Sequence, residues 1–111
     1  MADKKNVCSN SNVTIKMSGR EVTLHIIGDF DGSTTHIVHQ CCKKIQDKGK
    51  IDKVILDFSK AGRVDTSAFA CIINFIKEHV GSGTGIFVTN LRSTEEKLLQ
   101  MLRVEKLIKV I

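Results

Sequence analysis

Tryptophan and tyrosine are absent from the 111 residues, and five phenylalanines are the only aromatics. Most of them sit inside apolar patterns, so no aromatic platform for stacking nucleobases is present. The net charge of +5 would suit nucleic acid only if it were gathered. Instead the cations are dispersed over Lys4, Lys5, Lys16, Arg20, Lys43, Lys44, Lys48, Lys50, Lys53 and from Arg92 onwards. They read as a solvated surface, and no direct nucleic-acid partner is expected. No apolar run is long enough to cross a bilayer. The opening "MADKKNVCSNSNV" has no apolar core after its lysines, so it does not read as a secretory signal. A soluble cytoplasmic protein without membrane insertion is the expectation. The four cysteines, Cys8, Cys41, Cys42 and Cys71, form no C-x-x-C and match no zinc spacing. Structural disulfides are not expected in that compartment.

The length and the 41% apolar, 26% charged composition fit one soluble domain spanning residues 1–111. Residues 1–11 are polar and are expected to form a flexible N-terminal segment. "NVTIKM" alternates Val13, Ile15 and Met17 against Thr14 and Lys16, which is strand periodicity. "SGR" turns, and "EVTLHIIGDF" resumes the alternation, so the pair reads as a hairpin. Asp31 or Ser33 can cap a helix whose apolar face is Ile37, Val38, Cys41, Cys42 and Ile45, with Gly49 closing it. "KVILDFS", 53–59, is a buried strand. A helix follows with Phe69, Ile72, Ile73, Ile76 and Val80 on one face, then a turn in "GSGTG". "IFVTN", 86–90, is another strand, Ser93 and Glu96 form a capping box, and Leu98, Leu99 and Leu102 face inward. "LIKVI" closes the chain as a short strand or apolar tail. The predicted fold is α/β: a mixed β-sheet of four to five strands with packed helices, in the order β-β-α-β-α-β-α-(β).

Three clusters could carry chemistry. "HIVHQCC" sets His36, His39 and Cys42 at helical spacing, but no carboxylate or second ligand pair completes a metal site. An exposed histidine pair over a buried thiol is the better reading, and no metal is assigned. "GSGTG" lacks the lysine and hydroxyl residue of a phosphate loop and precedes a strand rather than a helix. Catalysis would need a base beside Ser67, and nothing in the linear sequence pairs it with His25, His36, His39 or His79. No catalytic residue, enzyme activity or cofactor is assigned.

"RVDTSAFACII", 63–73, is the most informative stretch. Asp65 is a good N-cap, and Thr66 and Ser67 suit the first turn of a helix. The stretch lies near the carboxyl end of a central strand, where open α/β sheets place their functional crevices. A phosphate on Ser67 would bring about −1.5 to −2 charges to that surface. The helix N-terminus would tolerate them, and Asp65 would oppose them.

From about Val13 onward the chain resembles the STAS domains of anti-sigma factor antagonists. The resemblance rests on "KVILDFSKAGRVDTSAFACIINFIKEH", on "VTLHIIGDFDGSTTHIVHQC" and on "GTGIFVTNLRSTEEKLLQMLRVEKLIKVI". It implies an anti-sigma factor antagonist that binds an anti-sigma factor serine kinase and releases a sigma factor for transcription. Phosphorylation by that kinase would break the complex, and a PP2C-type phosphatase would restore it; ATP would belong to the kinase. By motif the acceptor is Ser67, with Thr66 second. Gly28, Asp29, Asp31, Asp65, Thr66, Ser67 and Ala68 are the implied partner contacts. Ala68 stands where the family pattern has glycine, which adds a methyl group expected to crowd an approaching kinase. The alternative implied by the same resemblance is a scaffold STAS subunit of a stress-sensing assembly or an ABC-type lipid transporter.

Overall fold

A computed structural model of the chain describes residues 5–9, 12–46, 51–79, 85–93, 96–97, 100 and 108–111. Among the described residues the elements run in the order β1 (Lys5–Ser9), β2 (Val13–Ser18), β3 (Glu21–Phe30), α1 (Gly32–Gln46), β4 (Lys53–Val64), α2 (Thr66–His79), β5 (Gly85–Thr89) and β6 (Ile108–Val110), with a partly described third helix before β6. The strands form one mixed sheet whose spatial order is the chain order. β1, β2 and β3 are antiparallel neighbours, and β3 through β6 are parallel. The expected hairpin and strand–helix–strand units are present.

Alternation decides which face is buried. Val13 and Ile15, Val22, Leu24 and Ile26, Val54, Leu56 and Phe58, and Ile86 and Val88 all point to one side and are buried. Ala68, Phe69 and Ile73 of α2 join them in a single core. Phe58 and Phe69 pack ring to ring at 5.6 Å, within the range where aromatic pairs gain beyond simple burial. α1 lies against α2 and against β1, β2 and β3.

The sheet is larger than expected at one edge, while the closing strand in "LIKVI" is present as β6 at the other. Lys5–Ser9, read as flexible, pairs antiparallel with β2, with a register shift between Asn6 and Cys8. A polar segment can be a strand when a neighbour supplies the hydrogen bonds, and composition alone does not register that. β4 is also longer than "KVILDFS". It continues to Val64 by accommodating two extra residues against β3: His25 pairs with Asp57 but Ile27 with Lys60, and Gly28 pairs with Ala61 but Phe30 with Val64. Such bulges bend a strand and re-aim its side chains, often beside functional sites.

Other expectations shift by small steps. The Thr35 N–H donates to the Asp31 carbonyl, which makes Asp31, not Ser33, the cap of α1. The Glu96 N–H donates to the Arg92 carbonyl, so the third helix is entered from Arg92 and not from Ser93. Of that helix Ser93, Glu96, Lys97 and Gln100 are described and helical. Asn90 ends β5 rather than extending it, with a φ of 60°. Cys71 is an exposed free thiol on α2. Gly49, the turn at 81–84, Val80 and Leu98, Leu99 and Leu102 lie outside the described residues. So do the side chains of Val38, Cys41, Cys42, Ile45, Ile72 and Ile76.

Candidate functional site

Two capped helix starts lie side by side at the carboxyl ends of β3 and β4. At the first, Asp31 Oδ1 accepts the Ser33 N–H at 2.9 Å and the Ser33 hydroxyl at 2.6 Å. The Asp31 N–H donates back to Thr34 Oγ1 at 3.0 Å. Thr34 thus takes the reciprocal role that Glu or Gln has in a capping box. The Ser33 side-chain and backbone bonds, with the Thr34 N–H, outweigh partial desolvation and hold the Asp31 carboxyl below its ordinary pKa.

At the second, Asp65 Oδ1 accepts the Ser67 N–H at 2.8 Å and the Ala68 N–H at 3.3 Å. The Asp65 carbonyl accepts the Phe69 N–H at 3.0 Å, the first bond of α2. The Asp65 N–H donates to the Phe30 carbonyl at 2.8 Å, which pins this cap to the end of β3. The sequence explains the inside and the outside of the turn. Phe69 and Ala68 enter the core, so Thr66 and Ser67 face out and are exposed. Ala68 is 1% exposed. Its methyl therefore points into the core and does not meet an approaching protein, contrary to the expectation from sequence. The 1% applies to the whole residue, and its N–H is taken by Asp65 Oδ1, so Ala68 is not a direct partner contact.

The caps flank an open depression of about 470 Å³ lined by Asp29, Asp31, Arg63, Val64, Asp65 and Thr66. Three carboxylates converge there, a local acidic surface on a chain of net charge +5. The bulged end of β4 is clamped beside it. Asp29 Oδ1 accepts the Arg63 N–H at 2.7 Å. A Cβ on Gly62 would collide with that same carboxylate oxygen, so a larger residue here would have to displace Asp29 from the Arg63 N–H. The Arg92 guanidinium donates to the Gly62 carbonyl. Gly28, with a φ of 71°, bends β3 towards Asp29 in a conformation other residues resist.

A third clamp lies one step back along β4. Asp57 Oδ2 meets His25 Nδ1 at 2.9 Å, and Asp57 Oδ1 accepts the Asn90 amide and the Ser59 N–H, each at 2.9 Å. Burial pushes the Asp57 pKa up, but the bonds from Asn90, Ser59 and His25 together hold it below the ordinary value. Sequence reading missed His25, Asp57, Gly62, Asn90 and Arg92. The available signal was that His25 and Asp57 both take outward positions of the strand alternation.

The structure thus brings together Gly28, Asp29, Asp31, Asp65, Thr66 and Ser67, and places Ala68 beneath them. His36 is exposed and His39 half-buried, while the side chain of Cys42 lies outside the described residues. Among the described residues no histidine bonds the Ser67 hydroxyl; His25 is engaged by Asp57.

Comparison with known proteins agrees with this architecture. A search of curated proteins returns no match. An anti-sigma factor antagonist from Mycobacterium paratuberculosis superposes with a TM-score of 0.75 at 12% identity, covering 89% of this chain and 83% of that one. The Bacillus cell fate determinant SpoIIAA in its phosphorylated form gives 0.69 at 15% identity, over 89% and 90%. A candidate antagonist from Thermotoga maritima gives 0.72 at 18% identity, over 86% and 82%. At these identities the likeness shows a shared fold. The STAS domain family model matches residues 12–111, and with nearly the whole chain inside that match the protein belongs to the STAS domain family.

Proposed function

We propose that this chain is an anti-sigma factor antagonist of the partner-switching kind. In its unmodified state it docks an anti-sigma factor serine kinase on the surface formed by Gly28–Asp31 and Asp65–Ser67. Phosphorylation of Ser67 ends the complex, and a PP2C-type phosphatase resets it. Thr66 is the second-choice acceptor. The observation that carries the reading is the placement of Ser67: an exposed hydroxyl in the first turn of α2, held there by the Asp65 cap and by inward packing of Ala68 and Phe69.

The physical argument is one of charge. Phosphate would add about −1.5 to −2 charges beside Asp29, Asp31 and Asp65. The amides of the helix start would stabilise it locally, so the domain stays folded. A partner seated on the depression would have to bury that dianion, and an uncompensated buried charge is strongly unfavourable. That SpoIIAA was solved in a phosphorylated form supports a fold able to carry the modification.

Burial of the Ala68 methyl removes the steric objection to a kinase reaching Ser67.

Phosphosite mapping of the protein from growing cells tests the proposal. Phosphate is expected on Ser67, with none on the Ser67→Ala variant. Absence of phosphate from both Ser67 and Thr66 under every growth condition would overturn the switching step.

A further inference from the structure

The second face of the sheet carries a site of different character. β3, β4, β5 and β6 follow one another in parallel and in chain order. Right-handed crossovers then place α1 and α2 on one side, where they lie against each other. The other side presents the outward positions of the alternation, among them Thr14, Lys16, His25, Asp57 and Lys60. There a depression of about 220 Å³ is lined by these residues with Ser59 and Ile27.

Its hydrogen-bonding inventory is one-sided. Lys16 and Lys60 bring six N–H donors between them. Neither has a carboxylate within ion-pair distance among the described residues, whose ion pairs are Arg20–Asp52 and His25–Asp57. Asp57, the one carboxylate of the lining, has both oxygens taken: Oδ2 by His25, Oδ1 by Asn90 and the Ser59 N–H. With Nδ1–H donating to Asp57, Nε2 of His25 accepts in the neutral ring and donates to an oxyanion only in the imidazolium form, and Thr14 adds a hydroxyl. The lining charge is two lysines against one aspartate, and imidazole protonation adds one more positive charge. A recess whose two lysines outnumber its one acid, that acid already engaged in three hydrogen bonds, suits a compact oxyanion. Its volume is below the roughly 300–1,000 Å³ of drug-sized ligand pockets, so it would take a single anionic group rather than a whole nucleotide.

We propose that Lys16, His25 and Lys60, with Thr14, form a binding site for a phosphoryl group, either free phosphate or the phosphate of a small monoester. The site shares no lining residue with the depression beside Ser67, and the proposal does not depend on the switching function. It does adjoin the bulged part of β4 that leads to Asp65, through Ser59 and Lys60.

Amide NMR titration of the full chain tests it, using sulfate, inorganic phosphate and glycerol phosphate in separate arms, with sodium chloride matching the ionic strength. The expected result is saturable shifts confined to residues 14–16, 25–27 and 57–60. Stronger binding in the glycerol phosphate arm would identify a monoester site, and stronger binding in the phosphate arm a free-phosphate site. The Lys16→Ala/Lys60→Ala variant should bind at least about tenfold more weakly, as expected for lost charge-assisted hydrogen bonds. A Lys43→Ala/Lys44→Ala control, altering exposed lysines of α1, should bind as the parent does. Shifts spread over all exposed lysines, no saturation, or equal binding by the Lys16/Lys60 variant would overturn the assignment.

Discussion

Asp65 has two roles that separate by substitution. Its Oδ1 caps α2, while its charge contributes to the acidic surface beside Ser67. Asp65→Ala should lower stability by about 1 kcal/mol, the usual cost of losing an N-cap, seen as a lower urea midpoint. Asp65→Asn keeps a cap acceptor and should lose little stability, while weakening partner binding if the charge is read. Ala68 gives a sharper prediction. Restoring the family's glycine should not help the partner, because the methyl faces the core. Ala68→Gly should instead destabilise by about 1–2 kcal/mol, combining helix propensity with a lost buried methyl, with partner affinity unchanged at temperatures where it remains folded. At this scale the site was legible, because capping is local. Asp65, Thr66 and Ser67 are consecutive, and their types state the geometry. The direction of the Ala68 methyl was not legible, since it depends on where α2 meets the sheet.

The least legible element is β4. "KVILDFS" is a short β-branched apolar run and was readable, but "KAGRV" has no such run, and two bulges interrupt its pairing with β3. Its ladder partners are the last residues of β3, more than thirty positions earlier. β1 escaped notice for the same reason, its hydrogen bonds being supplied by β2. The His25–Asp57–Asn90 cluster joins β3 and β4 to the end of β5 across separations of 32 and 33 residues. It predicts a pH dependence. The folded-state pKa of Asp57 lies below its unfolded value of about 3.9. Its stabilising contribution is therefore present above that value and is lost as pH falls through the folded-state pKa. Asp57→Asn should be less stable than the parent at pH 7, and the gap should narrow below about pH 4. Urea unfolding at both pH values measures this; a gap that stays constant would remove Asp57 titration as the cause.

At the scale of the molecule, the parallel strand order puts helices on one face and sends both capped helix starts to one end of the sheet. The mixed α/β architecture was legible from hydrophobic periodicity and turn spacing, since those patterns set which faces are buried, whereas the STAS resemblance rested on the motifs around Asp65–Ala68. What alternation does not encode is the arrangement of groups contributed by distant strands. That is where the clamps on β4 and the phosphoryl site proposed for the opposite face arise. The functional account needs a rigid platform whose surface charge changes while its fold does not. Calorimetric titration of the proposed partner, an anti-sigma factor kinase, with unmodified and Ser67-phosphorylated chain, tests this most directly, with amide NMR following the fold of each. The account predicts at least a hundredfold loss of affinity, on the order of the 3 kcal/mol or more lost when a buried charge has no partner, with amide shifts confined to the two capped helix starts. Equal affinity of the two forms, or a phosphorylated chain that has lost its fold, would contradict it.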